Sequence, residues 1–245
     1  MAVETLVVNE IYLSLQGEST FAGIPCVFIR LTGCNLRCSY CDTAYAFTDG
    51  KRQSMDTVIS RVEELAGGFP PSSSASRLPL VELTGGEPLL QKGSLHLMEK
   101  LCDLGYTVLI ETSGAHDISG VDPRVRRIMD LKCPSSGEAG RNLWKNLKEL
   151  RPTDEIKFVI GSQEDYEWVK EQIATHGLAK ICPLLLSWVH PLKRDQKVDS
   201  LKTFPKEHHP IGRTELVERI IADALPVRFQ LQLHKIIWPP EQRGV

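Results

Sequence analysis

The chain has 245 residues, and its 29 lysines and arginines against 31 acidic residues leave no basic field for nucleic acid, which favours a small-molecule substrate. Its seven cysteines, an odd number in a chain long enough to bury a sizeable core, indicate reduced thiols in the cytoplasm and argue against a disulfide scaffold. The sequence has no long apolar run and no basic, apolar leader, so we expect neither membrane insertion nor export.

Short apolar runs of strand length alternate with longer amphipathic stretches along the chain. The predicted strands lie near residues 7–13, 27–31, 80–84, 107–111, 127–131, 155–160, 181–186 and 228–232. Apolar residues recur at helical spacing over 55–65, 95–101, 166–173 and 216–221. This alternation predicts an α/β fold in which parallel strands and crossover helices form a partial, open barrel of the TIM type.

Two polar stretches interrupt this rhythm, at 67–79 and at 190–210, and both are typical of loops or insertions. The charges of the second stretch indicate a solvated surface, and we expect His208 and His209 to be exposed there. No site residue is predicted in that stretch. With these insertions set aside, residues 1–245 are interpreted as a single domain.

Three cysteines, Cys34, Cys38 and Cys41, fall within eight residues after a predicted strand. The spacing CxxxCxxC can hold an iron-sulfur cluster through three irons and leave the fourth iron open for chemistry. A structural zinc would need a fourth protein ligand, for which Cys26 is the nearest candidate. Cys26 begins an apolar strand, however, and is better interpreted as a small buried hydrophobe.

Further unusual segments follow three of the predicted strands. They are TGGEP at 84–88, ETSG at 111–114 and DLKCPSSG at 130–137. In βα folds, functional groups gather beyond the carboxyl ends of the strands, so these segments and the cysteine loop should meet at one site. Paired glycines there allow a ligand to approach the backbone closely, and the acidic side chains supply acceptors.

The cysteine spacing together with GGEP resembles the radical S-adenosylmethionine superfamily. The resemblance implies that Cys34, Cys38 and Cys41 hold a [4Fe-4S] cluster, whose open iron takes the methionine part of S-adenosylmethionine. It also implies a low-potential cluster that reduces this sulfonium cofactor. The residues that we assign to the cofactor on this basis are Tyr40, Gly86, Glu87, Glu111, Ser113, Asp130 and Lys132.

A narrower resemblance, from about residue 8 to the last residue, is to the 7-carboxy-7-deazaguanine synthase family. Its motifs are LQGES at 15–19, Arg30, CDT at 41–43 and QLHK at 232–235, with Ser19 where the family commonly has glycine. The resemblance implies that Thr43 binds Mg²⁺, with Asp42 beside it. The residues that it assigns to the substrate are Leu15, Gln16, Gly17, Glu18, Arg30, Thr84, His234 and the terminal Val245.

This family resemblance implies a lyase that acts on 6-carboxy-5,6,7,8-tetrahydropterin. A 5′-deoxyadenosyl radical would take hydrogen from C6, and the ring would contract to 7-carboxy-7-deazaguanine with loss of ammonia, on the route to queuosine and related 7-deazapurines. The resemblance further implies a flavodoxin or ferredoxin as the electron donor, and a homodimer. Arg30 suits a substrate carboxylate because guanidinium binds carboxylate with two parallel hydrogen bonds.

Two other functions remain open on the sequence. A glycyl-radical activating enzyme also carries CxxxCxxC, but it would need a surface for its protein partner. A non-catalytic zinc module would use Cys26 with the three loop cysteines, and it would leave GGEP and ETSG without a purpose.

Overall fold

The computed structural model describes residues 4–69 and 77–245, and one sheet of nine strands runs through them. The strands are β1 (Thr5–Leu15), β2 (Pro25–Leu31), β3 (Lys51–Ser54), β4 (Arg77–Gly85), β5 (Tyr106–Thr112), β6 (Arg126–Asp130), β7 (Glu155–Ile160), β8 (Leu184–Trp188) and β9 (Arg228–Gln230). Their order across the sheet is β3-β1-β2-β4-β5-β6-β7-β8-β9, so β3 and β9 are the edges of an open sheet.

The α-helices are α1 (Met55–Ala66), α2 (Gly93–Asp103), α3 (Gln163–His176), α4 (Arg213–Ala222) and the short α5 (His234–Ile237). Helix α1 begins where the Ser54 side chain accepts a hydrogen bond from the Thr57 N–H, which caps an otherwise unpaired donor. Its buried residues Val58 and Val62 are one helical turn apart and belong to the core that α1 shares with the sheet. None of the helices among the described residues is long and apolar enough to cross a membrane.

The strands place alternate residues on opposite faces of the sheet. On β2, Val27 and Ile29 pack into the core shared with helices α1 and α2, whereas Cys26 packs on the other face. There Cys26 belongs to a small apolar cluster with Leu80 and Leu109 from neighbouring strands. This second, inner face carries the polar side chains of the site nearer the carboxyl ends of the strands.

The predicted open α/β architecture is confirmed, with corrections to several strands. Strands β2 and β4 to β9 run parallel, as expected, but β1 pairs antiparallel with both β2 and β3. The polar edge strand β3 was not predicted because its residues, KRQS, lack an apolar face. The strand predicted at 181–186 begins at Leu184, since a 3-10 turn and Pro183 come first, and the one predicted at 228–232 ends at Gln230.

The two predicted insertions have different outcomes. Of 67–79, residues 70–76 lie outside the described residues, 67–69 form a turn, and 77–79 already belong to β4. The 190–210 segment is a loop with one 3-10 turn, as predicted. His209 is exposed, but His208 is half-buried because its Nδ1 lies 3.1 Å from the Ser162 hydroxyl, so the expected exposure of His208 is wrong.

Candidate active site

A cavity of about 610 Å³ gathers the predicted site residues. Every residue that was assigned above to the cluster, to S-adenosylmethionine, to Mg²⁺ or to the substrate lines it, with the exception of Glu87. The cysteine loop, the strand-end segments and the carboxyl-terminal residues 240–245 contribute to its wall. The sequence motifs therefore meet in space, as their positions at the strand ends predicted.

Glycines allow the cysteine loop to lie directly against the GGEP turn. A Cβ atom on Gly86 would lie 2.2 Å from the Gly33 carbonyl oxygen and 2.8 Å from Cys34 Cβ, so no side chain fits there. The Glu87 N–H donates to the same Gly33 carbonyl at 2.8 Å. The close approach fixes Cys34 relative to the end of β4, and this explains why the motif needs glycine at position 86.

The other side of the cysteine loop rests on the segment that follows β6. The Ser39 N–H donates to the Ser136 carbonyl at 3.0 Å, and the Arg37 N–H donates to the Glu138 carboxylate at 2.7 Å. Lys202, from the 190–210 segment, donates its N–H to the Arg37 carbonyl at 2.8 Å and pairs with Glu138 at 3.0 Å. The segment in which no site residue was predicted thus braces the cysteine loop, and its residues Gln196 and Val198 line the cavity.

The three cysteines suit an iron-sulfur cluster. Cys34, Cys38 and Cys41 are free thiols that line one cavity, in which room remains for a further ligand. Within residues 4–69 and 77–245, no three His, Cys, Asp or Glu side chains converge on the position of a single ion; a cluster needs a wider spacing because each thiolate binds a different iron. Burial raises the pKa of Cys38 to about 11 and that of Cys41 to about 12, so ligation must displace their protons.

Glu87 lies behind the cavity wall and ties two of the motifs together. Its side chain is fully buried, and its carboxylate accepts hydrogen bonds from the Ser113 N–H at 2.8 Å and the Ser113 hydroxyl at 2.5 Å. It also accepts from the Thr112 hydroxyl at 2.9 Å and from the Leu89 N–H at 3.0 Å. The direct cofactor contact assigned to Glu87 stays a prediction; in this structure the carboxylate holds ETSG beside the GGEP turn.

The inner face of the sheet also carries a buried lysine that the sequence analysis missed. Lys157, on β7, forms ion pairs with Glu111 and with Glu18, the latter at 3.1 Å. Burial alone would raise the pKa of Glu18, but the charges of Lys157, His234 and Lys235 together outweigh it and lower that pKa below its usual range. The sequence does contain an indication of Lys157, because a lysine within the apolar strand EIKFVI places a charge on a buried face, where it needs a partner. We name Lys157, Glu18 and Glu111 the Lys157 cluster.

Glu82 is a second buried charge that was missed, and it stands in the apolar strand segment LVEL. It is 1 % exposed and lines the cavity, and its carboxylate accepts a hydrogen bond from Gln16 Nε2 at 2.8 Å. Burial and the charge of Glu111 raise the pKa of Glu82 to about 8. Gln16 Oε1 accepts in turn from the backbone N–H groups of Glu18 and Ser19, so this side chain shapes the LQGE loop.

Arg30 projects into the cavity from β2 and is already partly engaged. Its Nε donates to the Glu10 carboxylate at 2.7 Å, and its Nη2 donates to the Tyr12 hydroxyl at 2.8 Å. The Tyr45 hydroxyl donates to the same Glu10 oxygen at 3.0 Å. These contacts fix the plane of the guanidinium, as an anion-binding side chain requires.

The segment around Thr43 meets the carboxyl-terminal QLHK motif. The Thr43 hydroxyl donates to Asp42 at 2.8 Å, and Asp42 forms an ion pair with Lys235. Burial alone would raise the pKa of Asp42, but the charge of Lys235 and the hydrogen bonds from Lys235 and Thr43 together outweigh it and lower that pKa. His234 lies with its Nδ1 3.9 Å from Glu18, so the QLHK motif connects the predicted metal residue with the Lys157 cluster.

The radical SAM superfamily model matches residues 28–135. Among relatives, the 7-carboxy-7-deazaguanine synthase of Koribacter versatilis is 45% identical over 97% of this chain and 99% of its own length. That of Chlorobaculum tepidum is 41% identical over 97% of this chain and 96% of its own length. The crystal structure of QueE from Escherichia coli shares the fold, with a TM-score of 0.67 at 24% identity over 94% of this chain and 95% of that one. The chain therefore belongs to the 7-carboxy-7-deazaguanine synthase family of radical SAM enzymes.

Proposed function

We propose that this enzyme converts 6-carboxy-5,6,7,8-tetrahydropterin to 7-carboxy-7-deazaguanine with loss of ammonia, as a lyase of 7-deazapurine and queuosine biosynthesis. Membership of the radical SAM family implies a [4Fe-4S] cluster and S-adenosylmethionine, which together supply a reducing electron and a carbon radical. The observation that carries the proposal is that one cavity contains both the cysteine loop and the family motifs LQGE and QLHK.

The polar groups of the cavity match the substrate that we propose. Arg30, on the inner face, would bind the pterin carboxylate. Glu18 would accept hydrogen bonds from the N–H groups of the pyrimidine ring. Glu111, which was assigned above to the cofactor, is proposed here as a second acceptor for this ring, because Lys157 holds it beside Glu18 and Thr84 donates to it. Gln16 uses its side-chain amide within the protein, so its part is to hold the LQGE backbone in place. Leu15, Gly17, His234 and Val245 remain proposed substrate contacts.

The part of the cavity nearest the cysteine loop and the strand-end motifs would hold S-adenosylmethionine. Gly86, Ser113, Asp130 and Lys132 line the cavity, and the Lys132 ammonium pairs with Asp130 at 2.7 Å. Oxygen Oδ1 of Asp130 is buried and has no hydrogen-bond partner among the described residues. A buried acceptor of this kind supports a bound group that carries donors, such as ribose hydroxyls or an amine.

We further propose Mg²⁺ at Thr43, electron transfer from a flavodoxin or ferredoxin, and a homodimer. Magnesium keeps several water ligands and takes few oxygens from the protein, so one hydroxyl and the substrate suffice. Asp42 supports this site because its carboxylate, held by Lys235, orients the Thr43 hydroxyl.

Replacing Thr43 by alanine should lower the stimulation of turnover by Mg²⁺ about tenfold, because the metal loses its ligand from the protein. The measurement is the rate of product formation over a Mg²⁺ titration, with iron content determined in parallel. Thr48→Ala is the control, since Thr48 lines the cavity outside the CDT motif. An undiminished metal response in Thr43→Ala would exclude this role.

The proposed reaction is tested by anaerobic reconstitution with iron and sulfide. The loaded enzyme is then incubated with reductant, S-adenosylmethionine, Mg²⁺ and the carboxytetrahydropterin, and 7-carboxy-7-deazaguanine is identified by absorbance and mass. We expect product without net consumption of S-adenosylmethionine. Accumulation of 5′-deoxyadenosine without the deazaguanine would refute the substrate but leave the radical chemistry intact.

A further inference from the structure

Lys157 is the part of the cavity wall that the proposed reaction does not explain. Its side chain is 5 % exposed, and its ammonium contacts both Glu111 and Glu18, the latter at 3.1 Å. Glu18 belongs to the loop after β1, Glu111 lies near the end of β5, and Lys157 itself lies on β7. One cation therefore joins three elements that are distant in the sequence.

Each carboxylate of the Lys157 cluster is fixed at both of its oxygens. Thr84 Oγ1 donates to Glu111 Oε2 at 3.2 Å, while the ammonium takes Oε1. Gln232 Nε2 donates to Glu18 Oε1 at 3.1 Å, while the ammonium takes Oε2. Two carboxylates this close repel each other strongly in a buried site, and the cation between them removes that repulsion. The position and the plane of both carboxylates are thus fixed.

The Lys157 cluster differs in position from a structural ion pair elsewhere in the sheet. Arg127 and Asp154 pair at 3.5 Å at the amino-terminal end of the parallel strands, where backbone carbonyls also accept from the guanidinium. The members of the Lys157 cluster, by contrast, all line the cavity at the other end of the strands. The cost of burying the Lys157 ammonium beside two partly exposed carboxylates is incurred where a ligand can meet them.

We infer that Lys157 is a positioning residue for the substrate: its ammonium holds Glu18 and Glu111 together as paired anionic acceptors for a ligand edge that carries N–H donors. The inference rests on the proposed function for the nature of that ligand, a pyrimidine-type ring with amide and amino groups. Toward the N–H donors of the ligand, Lys157 acts through the two glutamates, since an ammonium has no acceptor to offer them.

The test is steady-state kinetics of the cluster-loaded Lys157→Met and Lys157→Arg enzymes. We expect Lys157→Met to raise the KM for the carboxytetrahydropterin about tenfold or more, because two facing carboxylates lose their common cation. S-adenosylmethionine affinity and iron content should stay unchanged, and Lys157→Arg should recover part of the loss. The matched control is Lys145→Met, which removes an exposed lysine that pairs with Asp117.

A second readout does not need the substrate. Without the cation, one glutamate of the cluster should take up a proton, so the infrared spectrum of Lys157→Met should gain a carboxylic acid band in addition to the signal that buried Glu82 gives in the wild type and in Lys157→Arg. This result is independent of the reaction, so it tests the inference even if the proposed substrate is wrong. An unchanged KM in an enzyme whose wild type turns over would overturn the role in substrate binding, and the absence of the band would overturn the electrostatic one.

Lys157→Met can also be tested in a form that leaves fewer carboxylates unpaired. If the single variant is too unstable to isolate, Lys157→Met/Glu18→Gln/Glu111→Gln is compared with Glu18→Gln/Glu111→Gln. Because Lys157 acts through the two carboxylates, and both are already neutral in each enzyme, we expect the two KM values to agree within about twofold. A further large increase in the triple variant would show an independent role for Lys157 and would overturn the inference.

Discussion

Replacing Cys38 by alanine will abolish both cluster binding and turnover. The thiol is buried in the cavity wall, and the three cysteines are the soft ligands that we propose for the cluster. We expect iron content to fall from about four per chain to near zero. Product formation should fall by at least about a thousandfold, since no side chain can replace the reducing centre. Iron analysis and anaerobic turnover measure the two effects.

Cys26→Ala is the matched control for this experiment. Cys26 is as buried as Cys38, but it packs among Leu80, Leu109 and Ile128 on the inner face of the sheet. Its loss should cost about 1 kcal/mol of stability and leave iron content and turnover within about twofold of the wild type. Loss of metal in Cys26→Ala to the same extent as in Cys38→Ala would instead support a site with four cysteines.

Replacing Glu87 by alanine will destabilise the protein and weaken S-adenosylmethionine binding together. The substitution leaves the buried donors of Ser113, Thr112 and Leu89 without their acceptor. Each such donor costs about 1–3 kcal/mol, so we expect the free energy of unfolding to fall by about 3 kcal/mol or more. The affinity for S-adenosylmethionine should fall about tenfold, because Ser113 and Gly86 are no longer held at the cavity.

Anaerobic urea unfolding and equilibrium binding to the loaded enzyme measure these two effects. Glu63→Ala, on the exposed face of α1, is the control and should change stability by less than about 0.5 kcal/mol. If Glu87→Ala unfolds like the wild type yet fails to bind S-adenosylmethionine, Glu87 contacts the cofactor directly, and its hydrogen bonds to ETSG are secondary.

The sequence predicted the location of the site well because its signals are local. The cysteine spacing, GGEP and ETSG each occupy a few consecutive residues at the end of a strand, and the carboxyl ends of parallel strands meet at one edge. The family motifs at both ends of the chain added Arg30 and His234. Each of these motifs contributes residues to the lining of one cavity, whereas Glu87 of GGEP lies behind its wall.

The sequence predicted less where the role of a residue depends on a partner that is distant in the chain. Lys157 and Glu82 stand in apolar strands, and the two-residue alternation of a strand does not say which face meets a ligand cavity. Lys202 was interpreted as part of a solvated surface and is exposed as predicted, but the sequence did not indicate that it also contacts the cysteine loop through Arg37 and Glu138. The edge strand β3 was not predicted because it is held by backbone pairing with β1, and its sequence has no apolar pattern.

The sequence alone therefore predicted the features that depend on spacing within the chain: the proposed cysteine ligands, the strand-end motifs and the α/β alternation. The tertiary structure alone decided how the charges are paired. It showed that Glu87 is a buried acceptor behind the cavity and that Lys157 joins Glu18 to Glu111. The physical reason is that a buried charge takes its role from its partners, and those partners come from strands that only folding brings together.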